Sequence, residues 1–327
     1  MSLRSLDEIE TLTRDLLLAN GADPEPADEV ARAVREAEGY GNKICGLYYL
    51  ESYCLQLRTG RVDGKAVPQV TRPRRGLVQV DARYGFAQPA FAAGFSEACE
   101  AARECGVATL AVSHAHTCTS LGYFTGQIAR AGLIGLGFTN ASPIVAAPGG
   151  KSRVIGTNPI AFSVPDGAGG VAMQFDQSTT TVALGKITMA KAAGEAIPLG
   201  WALDAEGNPT TDPEAALAGS LVSTGGVKGW GFGVMAEVLA AAMTGSVLSK
   251  DVKPLKAPEG APHDLGQYYV LIDPGASDTF AERLTTLLDT VAQDEGTRLP
   301  GQGRALSPAV EVDDNLWQML EGLAKKP

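Results

Sequence analysis

Leu133-Ile134-Gly135-Leu136-Gly137-Phe138-Thr139-Asn140-Ala141-Ser142-Pro143 is the stretch whose reading decides the fold. Residues Leu133–Thr139 are apolar or small and read as a buried strand. Two glycines one residue apart invite comparison with the Gly-x-Gly-x-x-Gly turn that cradles phosphate in Rossmann folds. That turn must follow a strand and open a helix. Here Gly135 and Gly137 lie inside the strand, and Asn140 stands where the third glycine belongs. A Rossmann-type site is therefore disfavoured.

Outward from this strand the pattern alternates between β and α. On the N-terminal side come a strand at Leu77–Val80, an Ala-rich helix over Pro89–Glu104, a continuous apolar strand at Val107–Val112 and a helix over Tyr123–Ala131. On the C-terminal side, strands near Pro159–Val164 and Val171–Phe175 lead into a helix around Val182–Ala193. A loop dense in Gly, Pro and Asp follows over Pro198–Pro213, then a helix from Lys228 to Met243 and a strand at Gln267–Ile272. The ends are helical. Ser5-Leu6-Asp7-Glu8 has the form of a capping box ahead of Leu6, Ile9, Leu12 and Leu16, and Gly21 stops that helix. Pro24 and Pro26 open a second helix that ends at Gly39, and a third covers Leu47–Thr59. Helices over Thr279–Asp294 and Asp313–Lys325 close the chain. The fold class is mixed α/β, with helical terminal segments packed together.

At 327 residues the chain can bury a core divided between two or three domains. Its formal charge of −10, from 27 basic and 37 acidic residues, argues against a nucleic-acid partner. No apolar run approaches the roughly 20 residues of a bilayer span, and the N-terminus lacks the pattern of a secretory signal. The 5 cysteines include no Cys-x-x-Cys pair, which reads as reduced thiols in the cytoplasm. With 3 histidines and no ligand spacing, no metal site is expected.

Three features carry chemistry. Glycine-rich connections occur at Pro148-Gly149-Gly150, Gly156-Thr157-Asn158-Pro159 and Gly225-Gly226-Val227-Lys228-Gly229. The last, entering a helix, can set backbone N–H groups and an ammonium against a phosphate, although plain turns have the same composition. Ser113-His114-Ala115-His116-Thr117-Cys118-Thr119-Ser120 follows the Val107–Val112 strand and offers two imidazoles for proton exchange near neutral pH. The competing reading is a polar loop with structural hydrogen bonds. Asp176, ending a strand, can orient a histidine or cap a helix, and the two roles are compatible.

Taken together these blocks resemble the malate/lactate dehydrogenase-like family of nicotinamide-dependent oxidoreductases. The resemblance is carried by Gly132-Leu133-Ile134-Gly135, Thr139-Asn140-Ala141-Ser142-Pro143, Gly156 to Phe162, Gly185-Lys186-Ile187, Gly200-Trp201-Ala202, Pro209 to Pro213 and Gly225 to Gly229. Gly60 to Pro68, Val80-Asp81-Ala82 and Gly85 to Pro89 are similar to the reductases of Δ1-pyrroline-2-carboxylate and Δ1-piperideine-2-carboxylate.

The resemblance implies a non-Rossmann NAD(P)-binding fold, NADPH or NADH as cofactor, a small substrate bearing a carboxylate, and a homodimer. It implies a helical domain from 1–60 with 276–327, a substrate-side α/β domain from 61–121 with 255–275, and an NAD(P)-binding domain at 122–254. The cofactor residues it implies are Thr139, Asn140, Ser142, Thr157, Asn158, Asp176, Gln177, Ser178, Lys186, Lys228, Gly229, Leu265 and Gly266. Tyr49, Thr117 and Thr157 are expected at the substrate, and His116, Asp176 and Cys45 in catalysis. The reaction expected is hydride transfer to a cyclic imine carboxylate. The alternatives are a 2-hydroxy acid dehydrogenase of malate, lactate or ureidoglycolate type, and a non-catalytic dinucleotide-binding protein.

The reacting end departs from the family pattern. Where the family carries Ser-His-Gly this chain has Ile44-Cys45-Gly46, and the arginine of the imine reductases is Tyr49. A second family histidine is nearest to His116, although a gapless alignment sets Thr117 in its column. A thiol at Cys45, with an ordinary pKa of about 8.5, is a different acid from imidazole, and it reads equally as a small buried apolar residue. Tyr49 brings no positive charge to a carboxylate; Lys43 and Arg58 are the cations nearby in sequence.

Overall fold

The computed structural model describes residues 1–324. One seven-stranded sheet organises it, in the spatial order Gln69–Arg74, Leu77–Asp81, Val107–Ala115, Leu265–Ile272, Ile134–Thr139, Ile160–Pro165 and Val171–Gln177. Leu77–Asp81 and Val107–Ala115 run parallel, because the helix Ala87–Cys105 carries the chain back between them. The other neighbouring pairs are antiparallel.

The strand that decided the fold lies inside this sheet, and its glycines have a packing reason. A Cβ on Gly137 would come within 2.9 Å of Thr125, and one on Gly135 within 3.0 Å of Ile128. Both contacts belong to the helix Leu121–Arg130, which can lie close on the strand only because those side chains are missing. On the neighbouring strand, a Cβ on Gly266 would sit 1.6 Å from the carbonyl oxygen of Ala240. There the helix Val227–Glu237 continues into a π-helical turn, Val238–Ala242, pressed against the sheet.

The terminal segments pack together as expected. The capping box at Ser5 and Glu8 starts the helix Leu6–Ala19, and the helices Pro24–Gly39, Leu50–Thr59 and Asp314–Ala324 join it. Leu6, Ile9, Leu16, Val34, Tyr53, Trp317 and Leu320 form their shared core. An antiparallel ribbon, Ser2–Ser5 with Ala309–Val312, ties the two ends and has no expectation in the sequence reading. The end of the last expected helix, Lys325, lies outside the described residues.

The Pro198–Pro213 loop contains the short strands Ala202–Leu203 and Pro209–Thr210. They belong to a smaller five-stranded sheet over its own core of Val145, Ile155, Ile187 and Leu221. The large sheet runs across the boundary expected at 121/122, with Leu265–Ile272 between the strands from either side. No helix of the described residues is long and apolar enough to cross a membrane.

Candidate active site

A cleft of about 430 Å³ opens at one edge of the large sheet. Chain reversals between antiparallel strands bring their polar ends to this edge. Thr117 and Thr119 follow Val107–Ala115, and Thr139 and Asn140 end and follow Ile134–Thr139. Thr157 precedes Ile160–Pro165, Ser178 follows Val171–Gln177, and Leu265 begins its strand. Leu184, Gly185 and Thr188, from the helix Leu184–Ala193, close one side. The facing wall comes from elsewhere in the chain: Ile44, Cys45, Tyr48 and Tyr49 from the 3-10 turns before Leu50–Thr59, with Leu255 and Lys256 from a distant loop. The volume suits a small ligand with part of a cofactor.

Among the expected residues, Cys45, Tyr49, Thr117, Thr139, Asn140, Thr157, Ser178 and Leu265 therefore meet at one place. The Cys45 thiol is pushed up to about 12 by desolvation, with the charge of Asp176 adding to the shift and a hydrogen bond from Asn42 opposing it. It is a neutral thiol at pH 7. Cys118 lines the same cleft, and its thiol is also raised, chiefly by burial. The cations near Tyr49 in sequence are turned elsewhere. Lys43 donates to the Glu311 carbonyl at 3.0 Å, and Arg58 bonds to Asn20 and the Leu323 carbonyl. The cation that does reach the cleft is Lys256, whose Nζ lies 3.4 Å from the Tyr48 ring centroid and 5.3 Å from that of Tyr49. No local signal in the sequence marks it.

His116 is placed differently from expectation. It is 1% exposed, stacked at 4.0 Å on His263 and boxed edge-on by Tyr53 and Phe86, and neither ring nitrogen has a hydrogen-bond partner. Desolvation holds its pKa well below the ordinary 6.5, so the ring is neutral. It is absent from the lining of the cleft. His114 is in the strand rather than beyond it, with Nδ1 3.0 Å from Asp81.

Asp176 lines an adjoining polar recess with Gly122, Gln174 and Arg304. It accepts from the Gly122 N–H at 2.8 Å and lies 3.4 Å from the Ser120 hydroxyl, at the start of the helix Leu121–Arg130. Asp176 thus accepts a backbone N–H at the start of a helix far from it in sequence. It does not take the expected role of cap for the following segment, where Ala183 precedes Leu184–Ala193. Protein crowds the carboxylate although it still reaches solvent, and this desolvation raises its pKa against the opposing Gly122 bond.

Several residues expected to hold cofactor are spent on structure. Asn158 is fully buried, with Nδ2 donating to the Gly233 carbonyl at 3.0 Å and to Glu237 at 2.7 Å. Ser142 donates to the Lys253 carbonyl at 3.1 Å and Asn140 to that of Val247 at 2.8 Å. Gly229 and Gly266 are close-packing points, since a Cβ on Gly229 would meet the Thr224 carbonyl oxygen at 1.9 Å. Gln177 is exposed on the edge strand.

An anionic dinucleotide fits what remains. Gly225 and Gly226, at φ +61° and +63°, turn the chain into Val227–Glu237, and residues 224–228 are all exposed. The first N–H groups of that helix point beyond its end, where an anion is favoured. Thr224 N donates to the Thr179 carbonyl at 2.9 Å, which sets this turn one residue from Ser178 on the cleft wall. Lys228 and Lys186 are both exposed at helix starts.

The malate/L-lactate dehydrogenase family model matches residues 5–321. The (2R)-3-sulfolactate dehydrogenase (NADP(+)) of Chromohalobacter salexigens is 40% identical over 301 residues, covering 92% of this chain and 90% of that protein. The Δ1-pyrroline-2-carboxylate reductase of Ancylobacter novellus is 36% identical, covering 92% and 89%. Among solved structures, Δ1-piperideine-2-carboxylate reductase from Pseudomonas syringae superposes with a TM-score of 0.90 at 33% identity, over 99% of this chain and 100% of that one.

Proposed function

This chain belongs to the malate/L-lactate dehydrogenase family and is an NAD(P)-dependent oxidoreductase, and from that premise we propose that it reduces the C=N bond of a cyclic imine carboxylate. The observation that carries this reading is the composition of the cleft. Among the described residues lining it there is no imidazole and no carboxylate, and its thiols are held protonated.

Proton demand separates the two substrate classes. Reduction of a 2-oxo acid leaves an alkoxide that needs a proton from a well-matched acid in contact with it. A cyclic imine can arrive already protonated on nitrogen, so that reduction yields a neutral amine with nothing further required from the protein. This cleft suits the second case. The bound nicotinamide supplies the hydride. Thr139, Thr157 and Ser178 hold the reacting ends in register, Cys45 and Tyr49 shape the space opposite them, and the crowded wall excludes water. Lys186, Lys228 and the start of Val227–Glu237 hold the phosphates. Asp176 fixes the start of Leu121–Arg130 behind the site.

A cytoplasmic homodimer completes the proposal. Phe280, Leu284, Leu287, Leu288 and Val291 share one face of the helix Phe280–Val291, none of whose residues is buried within the chain, and a second copy would cover it.

The test is turnover of NADH and NADPH with Δ1-pyrroline-2-carboxylate, Δ1-piperideine-2-carboxylate, pyruvate and oxaloacetate. Imines are expected to react faster, with rates that fall as pH rises and the imine loses its own proton. Turnover of the oxo acids alone would overturn the reading. A 2-hydroxy acid dehydrogenase is the second reading, favoured by the sulfolactate dehydrogenase at 40% identity. Oxidation of (2R)-3-sulfolactate with NADP+ tests it directly. The single cation among the described residues that line the cleft is better matched to a monoanionic substrate than to that dianion.

A further inference from the structure

We propose that Lys256 is the residue that anchors the substrate carboxylate, held on station by the rings of Tyr48 and Tyr49. The inference rests on the reading that the substrate bears a carboxylate, and it applies to an imine or an oxo acid alike.

Lys256 carries the sole charge among the described residues that line the cleft. None of the ion pairs among the described residues involves it, although acidic residues outnumber basic ones by 37 to 27. Its Nζ lies over Tyr48 and within 5.3 Å of the Tyr49 ring. An ammonium on an aromatic face keeps its remaining N–H donors for an anion beside it. The charge that Tyr49 lacks is thus delivered to Tyr49 from another part of the chain.

The backbone beneath Lys256 is built to stay still. Gln56 donates to the carbonyls on either side of it, Leu255 at 2.7 Å and Ala257 at 2.8 Å. Arg61 donates to Pro254 at 2.9 Å, to Ala261 at 3.1 Å and also to Ala257. Thr59 holds the Pro258 carbonyl at 2.7 Å. Gln56 and Arg61 are both buried. A buried guanidinium and amide are thus committed to one exposed segment whose only cleft-lining charge is Lys256. That fixes the ammonium's position while leaving it unpaired.

The experiment compares wild type, Lys256→Met and Lys256→Arg. Binding of pyrrole-2-carboxylate, a flat isostere that cannot accept hydride, is titrated calorimetrically with NADP+ present. KM and kcat are measured for the substrate that is turned over. Lys256→Met is expected to weaken the probe and raise KM by about 30-fold or more with kcat far less affected, and Lys256→Arg to restore most of the loss. Binding of NADP+ and the melting temperature stay at wild-type values, since the side chain is exposed. Wild-type KM and probe affinity in Lys256→Met would overturn the assignment. If the protein reduces oxo acids and no imine, the reaction reading fails on its own, and oxalate replaces the probe. Loss of oxalate binding in Lys256→Met would then uphold Lys256, and unchanged binding would refute it.

Discussion

Replacing Asn158 with alanine separates structure from binding at a position where the family resemblance implied a cofactor contact. Asn158 is fully buried and stands at φ +36°, a conformation that asparagine tolerates better than alanine. Its Oδ1 accepts from the Gly156 N–H at 3.1 Å, and its Nδ2 donates to Gly233 at 3.0 Å and to the Glu237 carboxylate at 2.7 Å. Each neutral bond is worth about 1 kcal/mol and the bond to a carboxylate about 2 kcal/mol. The positive φ adds about 1 kcal/mol in alanine. Glu237 keeps the Ser249 N–H at 2.6 Å, which limits the loss. Asn158→Ala is therefore expected to cost about 3–5 kcal/mol, a large part of a typical domain's stability. Urea unfolding followed by tryptophan fluorescence, at one protein concentration, would read this as a midpoint lower by about 1 M or more. Asn158→Asp, which sets a second carboxylate against Glu237, should be at least as damaging at neutral pH. Thr157→Val, one residue away but facing the cleft, should leave the midpoint unchanged and raise KM instead. A midpoint for Asn158→Ala indistinguishable from wild type would refute the reasoning.

Acid sensitivity should trace partly to the stacked histidines. Burial lowers His263 from 6.5 to about 3 and His116 well below 6.5, so the unfolded chain takes up protons that the folded one refuses. Their contribution is complete above pH 6.5 and is lost as pH falls toward about 3. His116→Phe should flatten that slope in urea midpoints measured across the window, and an unchanged slope would count against it. Iodoacetamide near neutral pH should modify the exposed Cys105 first, with Cys45 slower by about 100-fold or more because its thiol is held at about 12. Intact mass would show one adduct, and equally rapid labelling of Cys45 would contradict the shift. Lys228→Ala should weaken NADPH binding by about 10-fold in low salt and by less in high salt. A loss independent of salt would speak against a phosphate contact.

What the sequence disclosed and what it hid follow from the range of the forces involved. The capping box at Ser5 and the end of the third helix at Thr59, followed by Gly60 at φ +73°, act within a turn of helix, and the structure has them where the local pattern sets them. Gly39, by contrast, is still helical and serves as a packing point against Leu6 and Leu306. Gly135 and Gly137 were correctly excluded from a phosphate turn, but their reason, the close approach of Leu121–Arg130, is tertiary. Thr139, Thr157 and Ser178, which line the cleft, were legible through the family resemblance and not through any local pattern. Lys256 was not, since a lysine in a Pro-rich loop has the look of any solvated one until Tyr48 and Tyr49 are folded beneath it. The ribbon of Ser2–Ser5 with Ala309–Val312 was missed for the same reason. His116 shows the converse: a residue type suited to proton transfer, consumed by a stack with His263.

The supports under the 254–261 segment all grip main-chain oxygens: Gln56, Thr59 and Arg61 hold Pro254, Leu255, Ala257, Pro258 and Ala261 through their carbonyls. Such a grip is indifferent to which side chains the segment displays. Substitutions there need not dismantle the scaffold, whereas a change at Arg61 would loosen the backbone that carries Lys256. The side chain shown to the cleft at position 256 can thus be exchanged while the backbone that carries it stays in place.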